Sequence, residues 1–246
     1  MSELDPAEHI RKNKNLMPGY SLSTLLHTEP HIDALILKLK AHLLKLGRVE
    51  PGVWFNFTAF DIVGQAILSR PFGFLEKGED VGGSIANSRA LVTYIALLGH
   101  AHWLHGFLLG NPLIKLFGSH PHQHIAETVA RALACREEDE KIPGWDGGKD
   151  ILGKWREKRK EFPDKMTDLE IVTAVTSSVA AGSDTISAAL QAFVYYVFRT
   201  PEVAERLRRE IDEAGLQGEV VSYADAKELA FLQACVSLAS PRVIAP

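Results

Sequence analysis

Apolar residues recur at helical spacing along most of this chain. Between His31 and Leu46, the positions Ile32, Leu35, Ile36, Leu39, Leu43 and Leu46 fall three or four apart, and Gly47 supplies a natural stop. Val53 to Ser69 predicts a second apolar helix that ends before Arg70-Pro71, because the residue before a proline is biased away from helix. Phe72 to Gly78 reads as a turn-rich link, and a third helix runs from about Asp80 to Gly99 with Gly82 and Gly83 weakening its first turn. A further helical segment follows His124 and ends in the charge run Arg136 to Lys141, which reads as a solvated helix end. Pro143 to Gly148 has loop composition, and Lys154 to Lys160 is a basic, exposed run.

Thr167-x-x-Glu170 is a capping box that opens a long apolar helix. That helix closes near Arg199, where Thr200-Pro201 offers a new N-cap and a proline at the first helical position. Glu202 to Ala214 is amphipathic and stops at Gly215. Ser222-x-x-Asp225 caps a short helix, and Leu229 to Val236 begins another. With no run of alternating strands and no internal repeat, the pattern predicts a mainly α chain forming a single domain over residues 1–246.

Composition narrows the function classes. A hydrophobic content of 46% over 246 residues is enough for a sizeable core. Lys+Arg of 27 against Asp+Glu of 31 gives a net charge of -4, so there is no basic field for nucleic acid. Cys135 and Cys235 have neither disulfide-framework nor CxxC spacing. The opening residues carry no signal peptide or membrane anchor pattern. Ala90 to Ile114 and Ile171 to Phe198 are long and apolar enough to test as membrane spans. Glycines, Pro112 and three histidines in the first, and Ser and Thr in the second, favour burial within protein instead. His100, His102, His105 and His120, His122, His124 have spacings that could ligate zinc or copper, but no HExxH is present and surface histidines are the simpler expectation. Phe193, Tyr195, Tyr196 and Phe198 read as core aromatics.

The candidate chemistry sits inside the stretch from Leu169 to Phe198. Ala181-Gly182-Ser183-Asp184-Thr185 places an acid beside an alcohol after two residues with almost no side chain. A helical threonine can bond back to the carbonyl four residues earlier, that of Ala181, and loosen the turn. Ala181 and Gly182 would let a flat cofactor or small ligand approach the backbone, and a desolvated Asp184 could carry protons with a neighbouring hydroxyl and water. The same five residues also suit a helix-packing notch with Asp184 at the surface.

The context of these residues resembles a known family. Ala181 to Thr185 on a long helix closed by Tyr195-Tyr196-Val197-Phe198-Arg199-Thr200-Pro201-Glu202 is similar to the oxygen-activating helix of the cytochrome P-450 monooxygenases. Arg206 to Asp212, Ser222 to Asp225 and Leu229 to Ala234 look like the helices that follow it. Phe60 to Gly64, Arg70 to Asp80 and Tyr20 to Leu26 resemble the filamentous-fungal branch related to pisatin demethylase. The likeness covers residues 8–236. It implies a partial P-450 fold comprising the central helices, without the N-terminal sheet and the C-terminal haem-thiolate region. By that resemblance Thr185 is the alcohol that hydrogen-bonds oxygen or its water, and Asp184 is the acid that relays protons. Ala181 and Gly182 line the distal face of a haem, and Ala90 to Ile114 form a substrate-access roof.

The resemblance also implies a small lipophilic substrate, an NADPH-cytochrome reductase as electron donor, and for the full-length parent the cytosolic face of the endoplasmic reticulum membrane. It weakens after Val236. Where the family carries Glu-x-x-Arg, this chain holds Leu238 and Pro241, and the tail 237–246 places a proline where a helix should run. Neither cysteine lies in a haem-binding loop of the family's type. The expectation is therefore a truncated haem monooxygenase that is inactive as given, the alternative being a cofactor-free helical fragment or interaction module.

Overall fold

The computed structural model describes residues 5–99, 102–105, 107, 121–145 and 147–244. Among the described residues the architecture is helix and turn with no strand. The helices are α1 (Pro6–Leu16), α2 (Leu22–Leu46), α3 (Pro51–Leu68), α4 (Phe74–Lys77), α5 (Ser84–Leu98), α6 (His102–His105) and α7 (Pro121–Asp139). They continue with α8 (Ile151–Glu161), α9 (Asp168–Arg199), α10 (Pro201–Glu213), α11 (Tyr223–Ala226) and α12 (Ala230–Ile244).

The local signals act as their chemistry requires. Thr167 and Glu170 form both halves of the capping box that opens α9, and Ser222 accepts the Asp225 N–H at α11. Gly47 ends α2 at a φ of 67°, a conformation that suits a residue without a Cβ. Helix α2 starts earlier than the apolar pattern shows, at Leu22 after the Ser21 cap, and it carries Pro30 inside it. One proline removes a single backbone bond, and burial of Thr24, Thr28 and Leu35 on the inner face holds the two halves in line. Helix α12 likewise continues to Ile244 past Pro241 instead of breaking there; the proline removes the single N–H that would bond the carbonyl four residues back, and the helix runs only three residues beyond it.

The core forms where α3 and α9 lie along each other. Val63 and Ile67 from α3 join Val175 and Val179 from α9, and Leu152 and Trp155 from α8 close the cluster. The run Lys154 to Lys160 is therefore not simply an exposed basic strip. It is one face of α8, whose other face buries Trp155 completely, with its indole N–H donating to the Leu16 carbonyl at 2.9 Å. Gly19 lies so close that a Cβ there would sit 2.5 Å from the indole nitrogen, which fixes the turn after α1 against α8.

The charge run closing α7 also departs from its surface pattern. Arg136 is buried, donates to the Leu68 carbonyl at 2.5 Å, pairs with the buried Asp150 and stacks over Trp145 at 4.4 Å. Asp150 further accepts from the Ser69 hydroxyl at 2.6 Å and the Gly153 N–H at 2.7 Å. A buried guanidinium with these partners has its charge answered and its donors used. Asp61 on α3 does similar work for the following turn, accepting the N–H groups of Gly73, Phe74 and Leu75 at 2.8, 3.2 and 2.8 Å. At the far end, Glu210 of α10 accepts the Phe231 and Leu232 N–H groups at 2.7 and 2.8 Å and so caps α12 from a neighbouring helix.

Candidate active site

Helix α9 has two faces with different fates. Ile171, Ala174, Val175, Val179, Ser183 and Ser187 point inward and are buried. Ala181, Thr185, Ala188, Ala192 and Tyr195 recur at the helical spacing of one stripe on the other side, and Ala181, Thr185 and Tyr195 are exposed. Tyr195 and Phe198 are 56% and 61% exposed, so two of the four aromatics that read as core belong to the open face instead. They line a groove of about 800 Å³ with Pro51, Gly52 and Phe55 of α3.

The five candidate residues divide between these faces. The Thr185 hydroxyl bonds back to the Ala181 carbonyl at 2.9 Å, with the Gly182 carbonyl at 3.2 Å, as the sequence leads one to expect. With its proton committed to the backbone, the oxygen keeps acceptor lone pairs for an outside donor. Ala181 and Thr185 are four residues apart and adjacent on the open side. Gly182 faces α3, where a Cβ would lie 3.1 Å from Val63 Cγ2. Ser183 is fully buried and donates to the Val179 carbonyl at 2.6 Å.

Asp184 is half-buried and accepts the Ser88 hydroxyl of α5 at 2.6 Å. Consecutive helical residues project about 100° apart, so the acid and the alcohol do not face each other. Each is bonded elsewhere. Ser88 is a site residue the sequence does not announce: it lies 96 positions from its partner, and its one local signal is a small polar residue in an apolar helix.

The described residues offer no group of three or more metal-ligating side chains. The side chains of the histidine groups His100, His102, His105 and His120, His122, His124 lie outside the described residues. A second cavity of about 680 Å³ between α7 and α8 is lined by charges, but Arg156 and Arg159 are already paired with Glu140 and Asp168 at 2.7 and 2.5 Å.

Comparison with known proteins decides the family. The family model described as Cytochrome P450 matches residues 11–237. The chain belongs to the cytochrome P450 family. It is similar to Cytochrome P450 monooxygenase hepC of Aspergillus oryzae, at 32% identity over 93% of this chain and 47% of that protein. It is also similar to Cytochrome P450 monooxygenase cicH of Emericella nidulans, at 30% identity over 95% of this chain and 48% of that protein. The chain spans about half the length of these relatives.

The cofactor of a cytochrome P450 is haem iron, and the residues present fit one side of it only. The flat stripe of Ala181, Thr185, Ala188 and Ala192 can lie against a planar group, whereas neither cysteine suits its iron. Cys135 is exposed beside Arg136 and Glu137 on α7. Burial and the nearby Glu210 push the Cys235 thiol up, away from the thiolate that iron requires. The cavity beside Cys235 is about 180 Å³, below the roughly 300–1,000 Å³ of ordinary ligand sites. The chemistry of this chain therefore stops at its own side chains. One described helix, Val81–Leu98, is long and apolar enough by composition to cross a membrane.

Proposed function

We propose that this chain is the oxygen- and substrate-facing helical half of a fungal haem monooxygenase. The complete protein inserts one oxygen atom from O2 into a small lipophilic molecule, with electrons from an NADPH-cytochrome reductase at the cytosolic face of the endoplasmic reticulum. In this reading Thr185 and Asp184 are the catalytic hydroxyl and acid. Ala181 and Gly182 give the small-residue surface against the haem, with Gly182 also in close approach to Val63 of α3.

The observation that carries this reading is the pairing of Ala181 with Thr185 on the exposed stripe of α9, with the threonine oxygen turned into an acceptor by its own backbone bond. The 246-residue chain itself is inactive in this reading, since Cys135 and Cys235 are unsuited to hold iron. Haem added to the purified chain is expected to give no thiolate-type Soret band in the reduced carbon monoxide difference spectrum. Such a band would overturn the assignment of inactivity. Joined to the C-terminal half of the Aspergillus oryzae relative, the same chain is expected to give it, and a folded chimera without one counts against the oxygen-side reading.

The groove beneath Tyr195 and Phe198 favours a second reading, an interaction module without cofactor. Sedimentation decides: self-association removed by Phe198→Ser supports it, and a clean monomer with cooperative unfolding rejects it.

A further inference from the structure

The groove between the start of α3 and the end of α9 carries charges that its apolar lining does not explain. Along α9, Ala192, Tyr195 and Arg199 follow one another at helical spacing, so the trough runs for about 10 Å, close to two helical turns. Among the described residues, Arg199 is the one charged side chain of the lining. Its guanidinium lies 5.6 Å from the Tyr195 ring centroid and donates to the Tyr195 hydroxyl at 2.9 Å. Arg208 of α10 stands over Phe198 at 5.8 Å. Elsewhere Arg11, Arg70, Arg136, Arg156 and Arg159 are all paired with carboxylates. Arg199 and Arg208 form no ion pair among the described residues, in a chain with 31 acidic residues against 27 Lys and Arg. Two cations are thus stacked on the exposed rings that border the groove, held in place but without counter-charge. Glu50, next to Pro51 in the chain, is exposed and lies outside the lining.

We propose that this groove docks an amphipathic helix of a partner protein, whose apolar face is flanked by glutamates or aspartates. Both walls are helices and the described residues hold no strand, so an extended segment finds no open edge to pair with. Tyr195 and Phe198 stay 56% and 61% exposed, which leaves the trough too open to enclose a small molecule as ligand sites do. A helix needs neither an edge nor an enclosure. Its side chains at i, i+4 and i+7 repeat over about 10 Å and match the length of the trough. Tyr195 and Phe198 cover these anchors, and Arg199 and Arg208 take the flanking carboxylates in charge-assisted hydrogen bonds. This role rests on the second reading only for the groove as a docking face, and it requires neither self-association nor the absence of a cofactor.

Fluorescence anisotropy of the full chain with a labelled helical peptide tests it. The probe is about 15 residues long, enough to form a helix, with leucines at i, i+4 and i+7 and glutamates beside them. A second peptide carries lysines in place of the glutamates. The glutamate peptide is expected to bind at least about tenfold more tightly at low salt, with the difference shrinking as salt screens the charges. Arg199→Ala and Arg208→Ala are each expected to weaken it about fivefold to tenfold and to narrow the gap between the two peptides. Glu50→Gln is expected to tighten it about twofold, and Phe198→Ser to abolish binding of both peptides. Arg199, Arg208 and Glu50 are exposed, so the thermal melts of these variants are expected to match the parent, which separates lost docking from lost fold. Equal binding of the two peptides, or a preference that survives both arginine changes, overturns the acidic helix. So does a glutamate peptide that fails to bind, and so does self-association through Phe198 that the peptide cannot displace, which assigns the groove to a second copy. A clean monomer in sedimentation rejects the cofactor-free module while the peptide preference is still read, so the two fail separately.

Discussion

Asp150 and Asp184 each accept a hydroxyl from a residue distant in the chain, and the two sites are finished very differently. Around Asp150, the Ser69 hydroxyl, the Arg136 guanidinium and the Gly153 N–H fill the acceptor positions, and the group is closed off from water. Around Asp184, one hydroxyl reaches one oxygen and the carboxylate stays half-buried, with an exposed threonine next to it in the chain. A saturated, buried acid can only hold elements together, because any change in its proton or partners leaves a charge stranded. An acid with one bond and open surroundings can change partner at low cost. The contrast separates a closed acid that joins elements from an open one without reference to the family.

The sharpest way to break this contrast is at the closed site. Asp150→Ala strands the Arg136 charge and is expected to cost about 3–5 kcal/mol in urea unfolding. A loss below about 1 kcal/mol would show that the cluster is not the scaffold described. Asp61→Ala comes next at about 2–3 kcal/mol, since three backbone N–H groups lose their acceptor.

Burial pushes Asp61 above the ordinary carboxylate range, against the N–H groups of Leu75, Phe74 and Gly73 that favour its ionised form. The folded chain then binds this proton more readily than the unfolded one. Its contribution to stability is full at low pH and is lost as pH rises through the folded value. Asp61→Asn is expected to flatten that slope in unfolding curves recorded across acidic pH, and a parallel slope would refute it.

Gly182→Val is expected to cost about 1–3 kcal/mol through collision with Val63, and Val63→Ala in the same chain to recover part of it. The smallest effect belongs to the open site. Thr185→Ala is expected to change stability by less than about 0.5 kcal/mol in thermal melts, in the stabilising direction, since alanine suits an exposed helix and the lost bond is local. A large destabilisation would place Thr185 in the scaffold after all.

What the sequence discloses follows the reach of each interaction. The Thr167–Glu170 box, the Gly47 stop and the Thr185 back-bond span four residues or fewer, and all are legible in the chain itself. Arg136 misleads because its neighbours in sequence are charged and its partner Asp150 lies 14 residues on, beyond an intervening loop. Trp155 is hidden the same way, one apolar residue among lysines and arginines whose flexible stems stay at the surface. Tyr195 and Phe198 carry the composition of a core, yet which side of α9 is covered depends on what packs there, and periodicity gives a stripe without its partner. The bond from Ser88 to Asp184 crosses 96 residues, and a small polar residue in an apolar helix is its one local trace.

Gly182 has one further consequence. A Cβ there would lie 3.1 Å from Val63 Cγ2, so the close approach of α9 to α3 at this level depends on the absence of a single methyl group. Ala181 is next to Gly182 in the chain and Thr185 lies one turn on, about 60° around the helix axis, so the contact with α3 and the exposed threonine share one helical turn. Any space in front of Thr185 is therefore tied to the spacing of α9 from α3, and a methyl group added at Gly182 would shift both together.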